Sequence, residues 1–121
     1  MGLVFSHGDL CSSSYGGFYR FKKVLAQEAG IDLLKMAKYG GNQSWDEIND
    51  PLKPFFENRD EYDGGGLTPM ECLTVKRRIQ ELADCWCDEK GFEPHCWKQF
   101  AMRLATGMAE AAFLGDHFYW C

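Results

Sequence analysis

Ser12-Ser13-Ser14-Tyr15-Gly16-Gly17, followed by Arg20, is the stretch whose residue types best suit binding chemistry. It leads into a predicted helix, where unpaired backbone amides and the helix dipole favour an anion. The glycines allow a ligand close to the backbone, the hydroxyls donate, and Arg20, one turn on, offers a bidentate contact to phosphate or carboxylate. Tyr15, Phe18 and Trp45 are candidate faces for a base or sugar ring. The candidate ligand-binding residues are therefore Ser13, Ser14, Tyr15, Gly16, Gly17, Arg20 and Trp45. The glycine–lysine–Ser/Thr pattern of a phosphate-binding ATPase loop is missing, so nucleotide hydrolysis does not follow. The plainer reading is that the serines cap the helix and the glycines let it pack closely.

A second candidate lies between two predicted helices, from Arg59 to Glu71. With Glu71 as the twelfth position of a calcium loop, Asp60 becomes the first, Gly65 the sixth and Leu67 the eighth. Tyr62 and Gly64 then fall where carboxylates are needed, and moving Asp63 into the set makes the loop one residue too long. Asp60, Asp63 and Glu71 are the metal candidates, for calcium alone among cofactors. The competing reading is a hinge whose Asp and Gly residues make turns and caps.

Cys85, Cys87, His95 and Cys96 are ligand types that zinc prefers. Cys85 and Cys87, however, are two apart on a predicted helix and point in different directions. Cys72 and Cys85 also suit a core, where free cysteine is common. His7, His95 and His117 are far apart in sequence, and none belongs to a recognisable pairing of nucleophile and base. No catalytic residue is assigned, and the chain reads as a non-enzymatic protein.

The elements that must position these residues are mostly helical. Phe18, Phe21, Val24 and Leu25 recur at helical spacing, with Gly30 as a stop. Asp32 is placed to cap a short helix through Lys38, ended by Gly40-Gly41. Ser44-Trp45-Asp46-Glu47 has the form of a capping box, and Asp50-Pro51 that of a cap with proline at the first helical position. Thr68-Pro69-Met70-Glu71 opens the clearest helix, with Cys72, Val75, Ile79, Leu82, Ala83 and Trp86 on one apolar stripe and Gly91 as its stop. A last helix is predicted from Pro94 to Gly115, its stripe running from Trp97 to Ala112. Residues 3–7 and the aromatic tail Asp116–Cys121 can form a minor terminal β-ribbon, or the tail can tuck under the helices.

The expected fold is all-α, a small helical bundle whose two long C-terminal helices pack antiparallel, in one domain spanning 1–121. The chain has 121 residues, a net charge of −5 and eighteen aromatic residues: nine Phe, five Tyr and four Trp. The acidic balance argues against nucleic acid, whose binders carry a basic face. No run approaches the ~20 apolar residues of a membrane span. No secretory leader is seen, so a cytoplasmic location and reduced cysteines are expected. The surplus aromatics can thicken the core, line a pocket, or form a partner surface or a homo-oligomer seam.

From Ser14 to about Met108 the chain resembles a family of small uncharacterised actinobacterial and phage proteins. The resemblance rests on Ser14-Tyr15-Gly16-Gly17-Phe18 with Arg20-Phe21, Gly30-Ile31-Asp32-Leu33, Gly40-Gly41, Trp45-Asp46 and Asp50-Pro51. It continues through Asp63-Gly64, Leu67-Thr68-Pro69 and Glu71-Cys72. Gly64-Gly65-Gly66 stands where the family has a tighter acidic loop. The resemblance implies a fold and no activity. The leading expectation is a protein that binds or sequesters a small anionic, nucleotide-derived ligand, acting on host signalling if phage-encoded. A protein–protein interaction module and a degenerate calcium-loop protein are the alternatives.

Overall fold

The computed structural model describes residues 2–8, 12–57, 59–60, 64–86 and 97–120. The fold is mainly helical and carries small antiparallel sheets. Strands β1 (Gly2–Val4) and β2 (Ser12–Ser14) precede helix α1 (Tyr15–Glu28). Two short 3₁₀ turns, Leu33–Lys35 and Trp45–Glu47, lead to helix α2 (Lys53–Glu57). Strands β3 (Arg59–Asp60) and β4 (Gly64–Leu67), helices α3 (Pro69–Ala83) and α4 (Lys98–Leu114), and strand β5 (Phe118–Trp120) complete the chain.

The predicted start of α3 is observed atom by atom. Thr68 Oγ1 accepts from the Glu71 amide at 3.2 Å, and Glu71 Oε1 accepts from the Thr68 amide at 2.9 Å. Two helix-terminal amides are thereby satisfied, and Pro69 occupies a position where its missing N–H costs nothing. The helix buries Cys72, Val75, Ile79 and Ala83, the expected stripe, and ends at Ala83 rather than near Gly91. Helix α4 buries Ala101, Leu104, Ala105, Met108 and Ala111 and packs chiefly on α3. Gly115 stops it in the left-handed region at φ 73°, its N–H shared between the carbonyls of Ala111 and Ala112. The predicted start at Pro94 and stop at Gly91 lie outside the described residues.

Two predicted helices shrink to single turns. After Leu33–Lys35, Met36 is extended (φ −86°, ψ 148°) and Lys38 takes φ 75°, conformations that no α-helix tolerates. The Met36–Gln43 bridge replaces the helix. At Ser44 the hydroxyl accepts from the Asp46 amide rather than from Glu47, giving a 3₁₀ turn in place of the capping box. Asp50 Oδ1 accepts from the Leu52 amide at 2.9 Å, so the Asp50-Pro51 signal is a turn ahead of α2.

The largest departure from an all-α fold is the β-structure. Gly64-Gly65-Gly66, read as a hinge or calcium loop, is most of β4, paired with both β3 and β5. Glycine suits the position because a Cβ on Gly66 would stand 2.9 Å from Tyr119 Cδ1. The aromatic tail therefore pairs mainly with β4, and it also reaches the N-terminal segment through the Phe5–Trp120 bridge. Phe118 and Trp120 point inward while Tyr119 points out, the period-two alternation of a strand.

The surplus aromatics are largely core. Phe5, Phe18, Phe21, Tyr39, Trp45, Phe55, Phe56, Trp86, Phe118 and Trp120 are all buried. Their rings meet mostly in tilted and edge-to-face pairs, as between Phe18 and Phe55 at 5.9 Å and 81°. Each such ring contributes on the order of 1.5–3 kcal/mol by leaving water. No helix among the described residues is long and apolar enough to cross a membrane.

Candidate ligand-binding face of helix α1

The serine run, read above as ligand donors or helix caps, is strand β2, with Ser13 opposite Leu3 and Ser14 opposite Gly2. Helix α1 begins directly at Tyr15, so chain direction changes within one residue and the helix start is fixed by the β1–β2 ribbon. Phe18, Phe21, Val24 and Leu25 face the core, as their spacing requires. The opposite face carries Gly16, Arg20, Lys23 and Gln27, all exposed and separated by four, three and four positions.

A shallow depression of about 530 Å³ lies on that face, lined by Gly16, Tyr19, Arg20, Lys23, Val24 and Gln27. Gly16 has no neighbour within 4 Å of where a Cβ would stand, so its floor is open. Lys23 Nζ sits 5.5 Å from the centre of the Tyr19 ring, and that ring stacks on Tyr39 at 6.4 Å and 27°. The depression thus combines a guanidinium, an ammonium and a phenol held by its neighbours. A second hollow, about 500 Å³, shares Lys23 and Gln27 and continues along Ile31, Asp32, Leu33 and Leu34. Asp32 puts a carboxylate there, though Lys35 lies 3.8 Å from it.

Of the seven predicted ligand residues, Gly16 and Arg20 line the depression. Gly17 lies beside it, half-buried in the first turn of α1, while Ser13 and Ser14 end strand β2 and Tyr15 begins α1. Trp45 is not brought to this face. It is 4% exposed, donates its indole N–H to the Ala37 carbonyl at 2.8 Å, and stacks on Phe56 at 5.9 Å. Phe18 is likewise interior. Sequence reasoning missed Tyr19, Lys23 and Gln27; the signal was present in their spacing from Gly16 and Arg20 along one face.

The metal candidates separate. Glu71 is engaged in the α3 capping box, and Asp60 belongs to β3, paired antiparallel with Gly64. Asp63 lies outside the described residues, as do Cys87, His95 and Cys96. Among the described residues, no three His, Cys, Asp or Glu side chains gather as a metal-holding group. Cys72 is buried, and burial pushes its thiol up to about 11, which keeps it protonated and unreactive.

One constellation invisible in the sequence is assembled by the fold. Ser6 Oγ lies 2.7 Å from His7 Nδ1, and His7 Nε2 lies 3.2 Å from Asp116 Oδ2, a residue 109 positions away.

A scan of the chain against protein-family models finds no match, and comparison with curated proteins and with solved structures finds none either.

Proposed function

We propose that the protein binds a small anionic ligand, of nucleotide type, on the exposed face of α1, and so acts as a binding or sequestering protein. The observation carrying this reading is the depression in which Arg20 and Lys23 flank Tyr19 over an open glycine floor. In a chain of net charge −5, two cations at one concavity mark a local reversal of sign. Arg20 supplies the planar donor pair that phosphate takes, and Tyr19 offers ring surface beside it. The scaffold behind the face is read as a helical bundle with α3 and α4 antiparallel, supported by their extensive mutual packing.

Isothermal titration with adenosine and guanosine monophosphates, and with inorganic phosphate, tests the assignment. Arg20→Ala should remove binding while the free protein keeps its fold, read by far-ultraviolet dichroism, because the residue lies on the exposed face. Arg77→Ala, an exposed cation on α3, is the charge-matched control. Equal weakening in both variants would mean non-specific attraction and would sink the assignment.

A partner-binding reading has one observation of its own. Phe113 is 90% exposed at the end of α4, with Leu114 beside it, which costs solubility unless something covers it. Sedimentation of wild type against Phe113→Ser measures whether that residue holds copies together.

A further inference from the structure

The N-terminal segment and the C-terminal strand meet edge to edge. Ser6 N–H donates to the Tyr119 carbonyl at 2.9 Å, and Tyr119 N–H donates to Ser6 Oγ at 2.9 Å. The Ser6 hydroxyl lies 2.7 Å from His7 Nδ1, and His7 Nε2 faces Asp116 Oδ2 at 3.2 Å. In the neutral imidazole with its proton on Nε2, that N–H donates to Asp116 and Nδ1 accepts from the Ser6 hydroxyl. Ser6 is exposed, the His7 side chain is 13% exposed and that of Asp116 54%.

The backbone around them is tightly fixed. Gly8 takes φ +88°, and a Cβ there would stand 2.8 Å from Gly107 Cα. A Cβ on Gly107 would stand 2.6 Å from the His7 carbonyl oxygen. The Ser6–Gly8 bend is therefore seated on α4 at a point where only glycine fits on either side. Such a bend exposes a serine hydroxyl, as a sharp strand-to-turn corner does in serine hydrolases, where the amide after the nucleophile receives the oxyanion. Among the described residues the amides of His7 and Gly8 donate to no backbone carbonyl.

We propose that Ser6, His7 and Asp116 form an acyl-transfer site that takes small carboxylic esters with an apolar or aromatic acyl group. Ser6 and His7 are the catalytic residues, and Asp116 is a positioning residue. Ser6 Oγ forms a bond to the ester carbonyl carbon as its proton passes to His7 Nδ1, and the carbonyl electron pair moves onto oxygen beside the His7 amide. Collapse breaks the bond to the alcohol oxygen, which leaves with the proton from Nδ1. Water then adds to the acyl-serine, giving its proton to Nδ1, and Ser6 Oγ recovers that proton as the acid departs. No oxidant or metal enters the balance. Compared with the usual triad the two ring nitrogens exchange places, yet each keeps its role: a lone pair toward the hydroxyl, a carboxylate behind. The class of ester follows from the surroundings. Val4 and Ser6 are both exposed on either side of the buried Phe5, and Tyr119 stacks on His117 at 5.8 Å and 13°.

The full chain, incubated with an alkyl fluorophosphonate and read by intact mass and peptide mapping, tests this. One adduct per chain is expected, on Ser6. Labelling should vanish in Ser6→Ala and slow about 10²-fold in His7→Ala, the usual scale of a general base. It should slow in Asp116→Asn and recover in Asp116→Glu, a rescue that a merely structural contact would not give. Glu47→Ala, distant on its 3₁₀ turn, should label normally. A wild-type protein unlabelled at Ser6 overturns the proposal even if the variants fail to fold. So does an adduct on another serine, or a His7→Ala variant that labels at the wild-type rate.

Discussion

Lys22 Nζ lies 4.8 Å from the centre of the Phe18 ring, inside the core, on a lysine only 3% exposed. Three more rings surround it: Phe55 at 5.3 Å, Trp120 at 5.4 Å and Tyr39 at 5.8 Å. It also donates to Tyr39 Oη at 3.3 Å, and Tyr39 in turn donates to the Phe56 carbonyl at 2.7 Å. One cation thereby joins α1, the Tyr39 turn, α2 and β5. Cation–π contacts in a desolvated setting contribute about 2 kcal/mol, and the apolar stem adds packing. Lys22→Ala should therefore cost ~2–4 kcal/mol in urea denaturation, and Lys22→Met, which keeps the volume, clearly less. Equal losses would show that the charge contributes nothing.

The tail is a structural strand with two of its three side chains buried. Trp120 is 2% exposed and packs on Phe18 and Phe55 at 5.9 and 5.5 Å. Removing residues 119–121 should cost about 3–5 kcal/mol, the scale of emptying a buried Trp site. Loss of near-ultraviolet dichroism at ambient temperature is the expected readout. A truncated chain that melts like wild type would contradict the core placement.

Burial raises the Cys72 thiol from 9.0 to about 11. A raised folded-state value stabilises the protonated form, so its contribution is complete below pH 9 and is lost as pH climbs toward 11. The loss is on the order of 2 kcal/mol. Urea midpoints of wild type should fall more steeply across that window than those of Cys72→Ala. Below it, Cys85, which is exposed, should react with a disulfide reagent while Cys72 does not.

Arg78 binds Asp50 through Nε at 3.4 Å and Nη2 at 3.1 Å, and Glu81 at 3.4 Å. The Asp50 hydrogen bond holds the guanidinium above its ordinary value. The pair pins the Asp50-Pro51 turn to α3 and is only partly exposed. Arg78→Ala should lower stability by about 1 kcal/mol, and Arg78→Lys by nearly as much because the fork is lost. Thermal melts in low and high salt would separate the charge from the geometry.

Gly41 packs directly against the Lys35 backbone, where a Cβ would collide with the Lys35 carbonyl group. Gly41→Ala should displace the Met36–Gln43 bridge and cost ~2 kcal/mol or more, read by denaturation. Gly16→Ala, with open space around it, should be near neutral or stabilising within the helix.

Elements with local signals are readable from the chain alone. Thr68-Pro69-Met70-Glu71 makes its own cap, the stripes of α3 and α4 follow from period 3.6, and Gly115 ends α4 because glycine enters the left-handed region freely. Gly16 and Arg20 were legible as candidates because helix spacing alone puts them on one face. Other features depend on packing between segments far apart along the chain. Gly64–Gly66 reads as a hinge until Tyr119 lies across it, and Lys22 becomes a core residue only when three rings from distant segments join Phe18, one turn back on α1, around its ammonium. Trp45 looked available for a ligand until Ala37 and Phe56 claimed its two ends. Ser6, His7 and Asp116 share no motif. Strand pairing between Ser6 and Tyr119 joins them, and such pairing depends on contacts far apart along the chain that no local propensity encodes.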